Sequence, residues 1–112
     1  MDENSFQIVI RNAFYRSTFV LNKKKAEYSP GEDRLSNFKE AGELQRVSPE
    51  EALLGMMTKH YVSICEMVRG VEDRQDLPWP REAWEEKLTD SHNYLFLLEA
   101  LVKERYGWKD KP

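Results

Sequence analysis

The sequence predicts an all-α fold, a four-helix bundle, on three observations. Apolar residues recur at steps of three and four in four separate segments. No segment alternates apolar and polar residues as a half-buried strand does. Short links with turn and capping chemistry separate the first three segments, which favours antiparallel neighbours. At 112 residues the chain is sized for one domain. A single helical domain over 1–112 is expected, with its core in 5–106 and a short polar tail in 107–112.

The first helix is expected near 5–26, with Ser5 as its cap. Phe6, Val9, Ile10, Ala13, Phe14, Val20 and Leu21 fall on one face of it. Ser29-Pro30-Gly31 then supplies turn chemistry. The second helix is expected near 33–46, with Asp33 at its start and Leu35, Phe38, Ala41, Gly42 and Leu44 on its apolar side. Ser48-Pro49-Glu50-Glu51 is the clearest start signal. Ser48 suits the cap, Pro49 the first helical position, and Glu51 completes a capping box. This third helix should run near 49–69 and end at Gly70. Its inner face carries Leu53, Met56, Met57, His60, Ile64, Met67 and Val68. His60, four residues from both Met56 and Ile64, should be buried and contribute to packing. Residues 71–79 have no periodicity and read as a loop. The fourth helix is expected near 80–106, with Trp84, Leu88, Tyr94, Leu95, Leu98, Leu101 and Val102 inward.

Composition excludes some classes of function. The net charge is −3 and the single basic run, Lys23-Lys24-Lys25, reads as a solvated helix end. Direct binding to duplex DNA is therefore not expected. Cys65 is the single cysteine, so an intrachain disulfide is excluded and a buried, inert thiol is expected. No apolar run is long enough to span a membrane. The start Met1-Asp2-Glu3-Asn4 lacks the pattern of a signal peptide. A cytoplasmic location is expected. We find no Gly-rich phosphate loop, CxxC, HExxH or nucleophilic triad.

Some residues do carry usable chemistry. Glu86 and Asp90 are four apart and share a helical face, which Asn93 continues one turn on. Two carboxylates and an amide so placed suit Mg²⁺, or else form a solvated face with local ion pairs. Lys59 lies beside the apolar stripe of the third helix and would bind phosphate if it faced the same cavity. Glu40 and Glu43, three apart, form a second acidic pair. His92 lies two after Asp90 and points elsewhere.

Three stretches carry a family resemblance. They are Asp33-Arg34-Leu35-Ser36-Asn37-Phe38; Ser48-Pro49-Glu50-Glu51-Ala52-Leu53 with Gly55-Met56 and Lys59-His60; and Glu86-Lys87-Leu88-Thr89-Asp90 with Asn93-Tyr94-Leu95. Their order resembles small phage and prophage proteins that are distantly similar to the MazG-like all-α nucleoside triphosphate pyrophosphohydrolases. The resemblance covers about residues 28 to 104. It implies a MazG-like bundle and Mg²⁺ held by acids on two helices, with water attack releasing pyrophosphate. Glu86 and Asp90 match the second acidic motif, although that motif usually spaces its acids by three. Glu40 and Glu43 match the first, at a longer gap than the family pattern.

Two functions follow as expectations. One is Mg²⁺-dependent nucleotide binding or pyrophosphohydrolysis, with metal at Glu86 and Asp90 and substrate at Asp33, Asn37, Lys59 and Asn93. The other is a catalytically inert, phage-encoded module that binds and inhibits a host defence protein, its acidic balance suiting a basic target. For the first, Asp33, Asn37, Lys59, Glu86 and Asp90 should meet at a cleft between the second, third and fourth helices. A homodimer is expected, because Phe19, Tyr61, Phe96 and Trp108 remain beyond the inward stripes.

Overall fold

The computed structural model describes residues 1–28, 31–73 and 79–112. All its regular structure is helical, and no strand occurs among the described residues. Four long helices account for most of it: α1 (Glu3–Lys23), α3 (Ser36–Gln45), α4 (Pro49–Asp73) and α5 (Arg81–Tyr106), with a single-turn α2 (Lys25–Tyr28) after α1. No helix of the described residues is long and apolar enough to cross a membrane.

The caps explain where these helices start and stop. Asp2, not Ser5, caps α1: its Oδ1 accepts from the Ser5 amide at 2.7 Å, satisfying one of the four unpaired N–H groups. Asp33 precedes α3 rather than opening it. Its carboxylate accepts from the Leu35 amide at 3.0 Å and its carbonyl from the Ser36 amide at 3.2 Å, so it shapes the turn that leads in. Ser48 caps α4 as expected, its Oγ accepting from the Glu51 amide at 3.1 Å. Gly70 does not end α4, which continues to Asp73. A glycine is tolerated within a helix at modest cost, and a Cβ at Gly70 would sit 3.5 Å from the Trp79 indole nitrogen. α5 ends at Gly107, whose φ of 69° lies in the left-handed region, with the Trp108 amide reaching back to the Lys103 carbonyl at 2.9 Å. The turn expected at Ser29-Pro30 and most of the loop expected at 71–79 lie outside the described residues.

Helix α4 packs against both α3 and α5. Leu35, Phe38, Leu53 and Leu101 form the buried cluster there, with Met56, Tyr94, Leu97 and Leu98 packed around it. The Glu50 carboxylate takes both donors of the Arg105 guanidinium, at 2.9 and 2.7 Å, tying the start of α4 to the end of α5.

Helix α1 packs differently from the expectation. It lies on α5, and the seat is polar. Ser17 is buried, with its Oγ 3.2 Å from Nδ1 of His92, and Arg16 donates to buried Thr89 at 2.9 Å and pairs with Glu85 at 3.3 Å. Phe6, Val9, Ile10 and Phe14, expected on a buried face, are exposed. Their stripe does lead into Ser17, but α1 meets α5 only over its C-terminal half, and every residue of 1–12 is exposed.

Candidate functional site

A cavity of about 370 Å³ opens where α1, α3, α4 and α5 come together. Each wall follows from helical spacing. Asp90, Asn93, Tyr94 and Leu97 recur at three and four along α5, so one face of that helix supplies all four. Met56 and His60, four apart, come from α4, while Asn37 and Phe38 come from the first turn of α3. Val20, Leu21 and Lys24 come from α1 and its end. Arg34 lines the cavity from the turn before α3 and donates to the Leu21 carbonyl at 3.1 Å, which fixes this turn against α1.

Asp90 is the electrostatic centre of the cleft. Its side chain is 18 % exposed, and its two oxygens lie 3.9 Å from the Lys24 ammonium and 3.6 Å from His60 Nδ1. The His60 ring also leans on Tyr94, with centroids 5.3 Å apart. Asn93 is buried. Its Oδ1 and the Nδ1 of His60 are buried atoms with no hydrogen-bond partner among the described residues. Such atoms cost stability unless something satisfies them. The cleft thus combines polar atoms, two cationic side chains, one carboxylate and an apolar wall that includes an aromatic pair, Phe38 and Tyr94.

Of the residues expected to meet, Asn37 and Asp90 line this cleft, and Asn93 joins them. Lys59 and Glu86 are exposed and do not line it: Lys59 is one position off the face of α4 that does, and Glu86, on the same face of α5 as Asp90, lies one turn beyond the cleft. Asp33 is exposed and pairs with Lys39 at 2.6 Å, which holds its carboxyl below the usual range. Asp33, Glu40 and Glu43 line a second, more open depression beside the α3–α4 turn. His60 is mostly buried, at 18 % side-chain exposure, but it borders the cleft rather than filling a closed core. Sequence reasoning missed Lys24 and Arg34. Lys24 was hidden in a run that reads as solvated, and Arg34 in a turn whose approach to α1 no local pattern records.

The donor set bears on a metal. Mg²⁺ is commonly held by one or two carboxylates plus waters and substrate oxygens in near-octahedral geometry. Here Asp90 is the one carboxylate lining the cleft among the described residues, and Lys24 and His60 already face it. No group of three or more His, Cys, Asp or Glu side chains among the described residues is placed to hold a metal. These residues do not fit a resident Mg²⁺. The chain matches no protein-family model, no curated protein and no solved structure.

Proposed function

We propose that the cleft binds a nucleotide, with phosphate oxygens at Lys24 and Arg34 and the nucleoside against the Phe38–Tyr94 wall. The observation that carries this reading is the lining: among the described residues, the cationic side chains Lys24 and Arg34 stand with Asp90 beside apolar and aromatic side chains. Cationic groups at a cleft draw an anion, and an aromatic wall beside them suits a base. The volume lies within the range of small-molecule pockets. The Nδ1 of His60 and the Oδ1 of Asn93 are buried polar atoms without a partner among the described residues, on two side chains that line the cleft.

The resemblance of the 33–38, 48–60 and 86–95 stretches to MazG-like pyrophosphohydrolases supports the same ligand class and a MazG-like packing of the helices. The reading stops at binding, because Asp90 is the one carboxylate lining the cleft among the described residues. The alternative of an inert module bound to a host protein draws instead on the exposed apolar residues of α1.

The test is a titration with ATP, with and without Mg²⁺, followed by backbone NMR. Shifts should cluster at residues 34, 37, 60, 90 and 93. Lys24→Ala should weaken binding about tenfold or more, the worth of one charge-assisted contact. Asp90→Asn is the sharper probe. Removing a carboxylate that competes for Lys24 should strengthen binding without Mg²⁺. Weaker binding of that variant, seen only when Mg²⁺ is present, would instead mean that metal bridges Asp90 and the phosphate.

A further inference from the structure

We propose that α1 as far as Phe19 is a docking arm whose occupant is a second copy of this chain. The arm is apolar on two sides. Phe6, Val9, Ile10 and Phe14 continue the stripe that seats Ser17 on α5, while Ile8, Tyr15 and Phe19 lie on the opposite side at spacings of seven and four. All seven are exposed, Phe14 at 58 %, Tyr15 at 66 % and Phe19 at 70 %. A helix apolar on opposite faces is one that other helices surround. Within this chain, α5 is the long helix that α1 packs on, and it does so through polar contacts. The large apolar side chains of α1 before Val20 thus remain for a partner.

The area sets the size of that partner surface. The chain exposes 8881 Å². A compact monomer of 13.3 kDa exposes about 6,450 Å². The surplus, about 2,400 Å², is what one protomer buries in an obligate dimer, where each side loses about 1,000–2,500 Å². The radius of gyration agrees: it is 16.5 Å, against about 13 Å for a compact chain of this length. An interface between two copies is of the size to take up a large part of this excess.

Charge favours a copy over a strongly charged foreign partner. The first nineteen residues hold Asp2 and Glu3 against Arg11 and Arg16, so the arm is neutral and the net −3 of the chain lies elsewhere. Two arms can meet with no net repulsion. The receiving surface includes Phe96, exposed and one turn beyond His92 on the α5 face that already carries α1.

Light scattering coupled to size-exclusion chromatography on the full chain at micromolar concentration should give the mass of two chains. The double variant Val9→Glu with Phe14→Glu should give the mass of one chain, or weaken association by a hundredfold or more. Leu44→Glu, at a residue 81 % exposed on α3, should leave the dimer unchanged. Should the arm variant fail to fold, the wild type still decides. In a mixture of isotope-labelled and unlabelled chains, the rings of Phe6 and Phe14 should show contacts between copies. A one-chain mass for the wild type overturns the proposal and leaves the face to a different protein. A dimer with no contact between copies at those rings overturns the assignment to the arm.

Discussion

His60 Nδ1 on α4 lies 3.6 Å from Asp90 Oδ2 on α5, the two side chains being equally shielded at 18 % exposure. The distance is too long for a direct hydrogen bond. The contact joins the two longest helices beside the cleft. A carboxylate in place of the imidazole would set two negative charges against each other in a half-dry site. We expect His60→Asp to cost roughly 1–3 kcal/mol, from two carboxylates facing each other in a shielded site. His60→Gln, which keeps a neutral donor, should cost far less. Urea midpoints at neutral pH check this. The His60→Asp deficit should shrink in acid, because protonating one carboxyl removes the repulsion.

Gly42 makes the α3–α4 turn possible by its lack of a side chain. It is buried, its carbonyl accepts from the Val47 amide at 2.9 Å, and a Cβ there would meet the Val47 carbonyl oxygen at 2.8 Å and Pro49 N at 3.1 Å. Those neighbours are backbone in a closed turn, so they give way only if the turn opens. Alanine normally improves a helix by up to about 1 kcal/mol over glycine. We expect the opposite here: Gly42→Ala should lower stability by about 1–3 kcal/mol, the usual cost of overpacking. A rise in the thermal midpoint of that variant would contradict the tight turn.

Arg46 ends α3 in the left-handed region, with φ 59° and ψ 42°. A side chain pays for that conformation where glycine does not. The relief on Arg46→Gly is partly offset by the greater freedom of an unfolded glycine. The net gain should be up to about 1 kcal/mol, seen as a thermal midpoint a few degrees higher. Arg46 is exposed, and none of the described side-chain hydrogen bonds or ion pairs is lost with it.

These two turn residues show what the sequence left readable. The existence and approximate span of the long helices follow from periodicity and from Ser48-Pro49, because caps and apolar steps are local. Gly42 looked like part of an apolar side, and Gly70 like a stop. Only the approach of the chain at 47–49 and of Trp79 separates their roles. The cleft was half legible for the same reason. Asn37, Asp90 and Asn93 sit on stripes that periodicity aims inward. Lys59 and Glu86 were chosen for their chemistry, yet Lys59 sits one step off its stripe and Glu86 one turn beyond the end of the cleft. Lys24 and Arg34 reach the cleft through the crossing of α1 over α5, which depends on Ser17 and Thr89 being small and polar. Apolar periodicity in α1 pointed to Phe6 and Phe14 instead, residues that this chain leaves uncovered.

The Glu50–Arg105 pair makes a pH-dependent link between α4 and α5. The guanidinium donates two hydrogen bonds to the carboxylate, and this pairing holds the Glu50 carboxyl below its ordinary value of 4.5. A carboxyl depressed in the folded state stabilises it above the unfolded value, and that contribution is lost as the pH falls through the folded value. The thermal midpoint of Glu50→Gln should therefore lie below the wild type by a constant margin above about pH 5, and the gap should close as the pH drops below about 4. Glu50 also stands in the first turn of α4, where a negative charge meets the positive end of the helix dipole. The two sources separate in a double-mutant cycle. In an Arg105→Gln background, Glu50→Gln should be nearly silent if the guanidinium is the dominant partner. If the full gap and its pH dependence survive there, the helix terminus and not Arg105 is what holds the Glu50 carboxyl low.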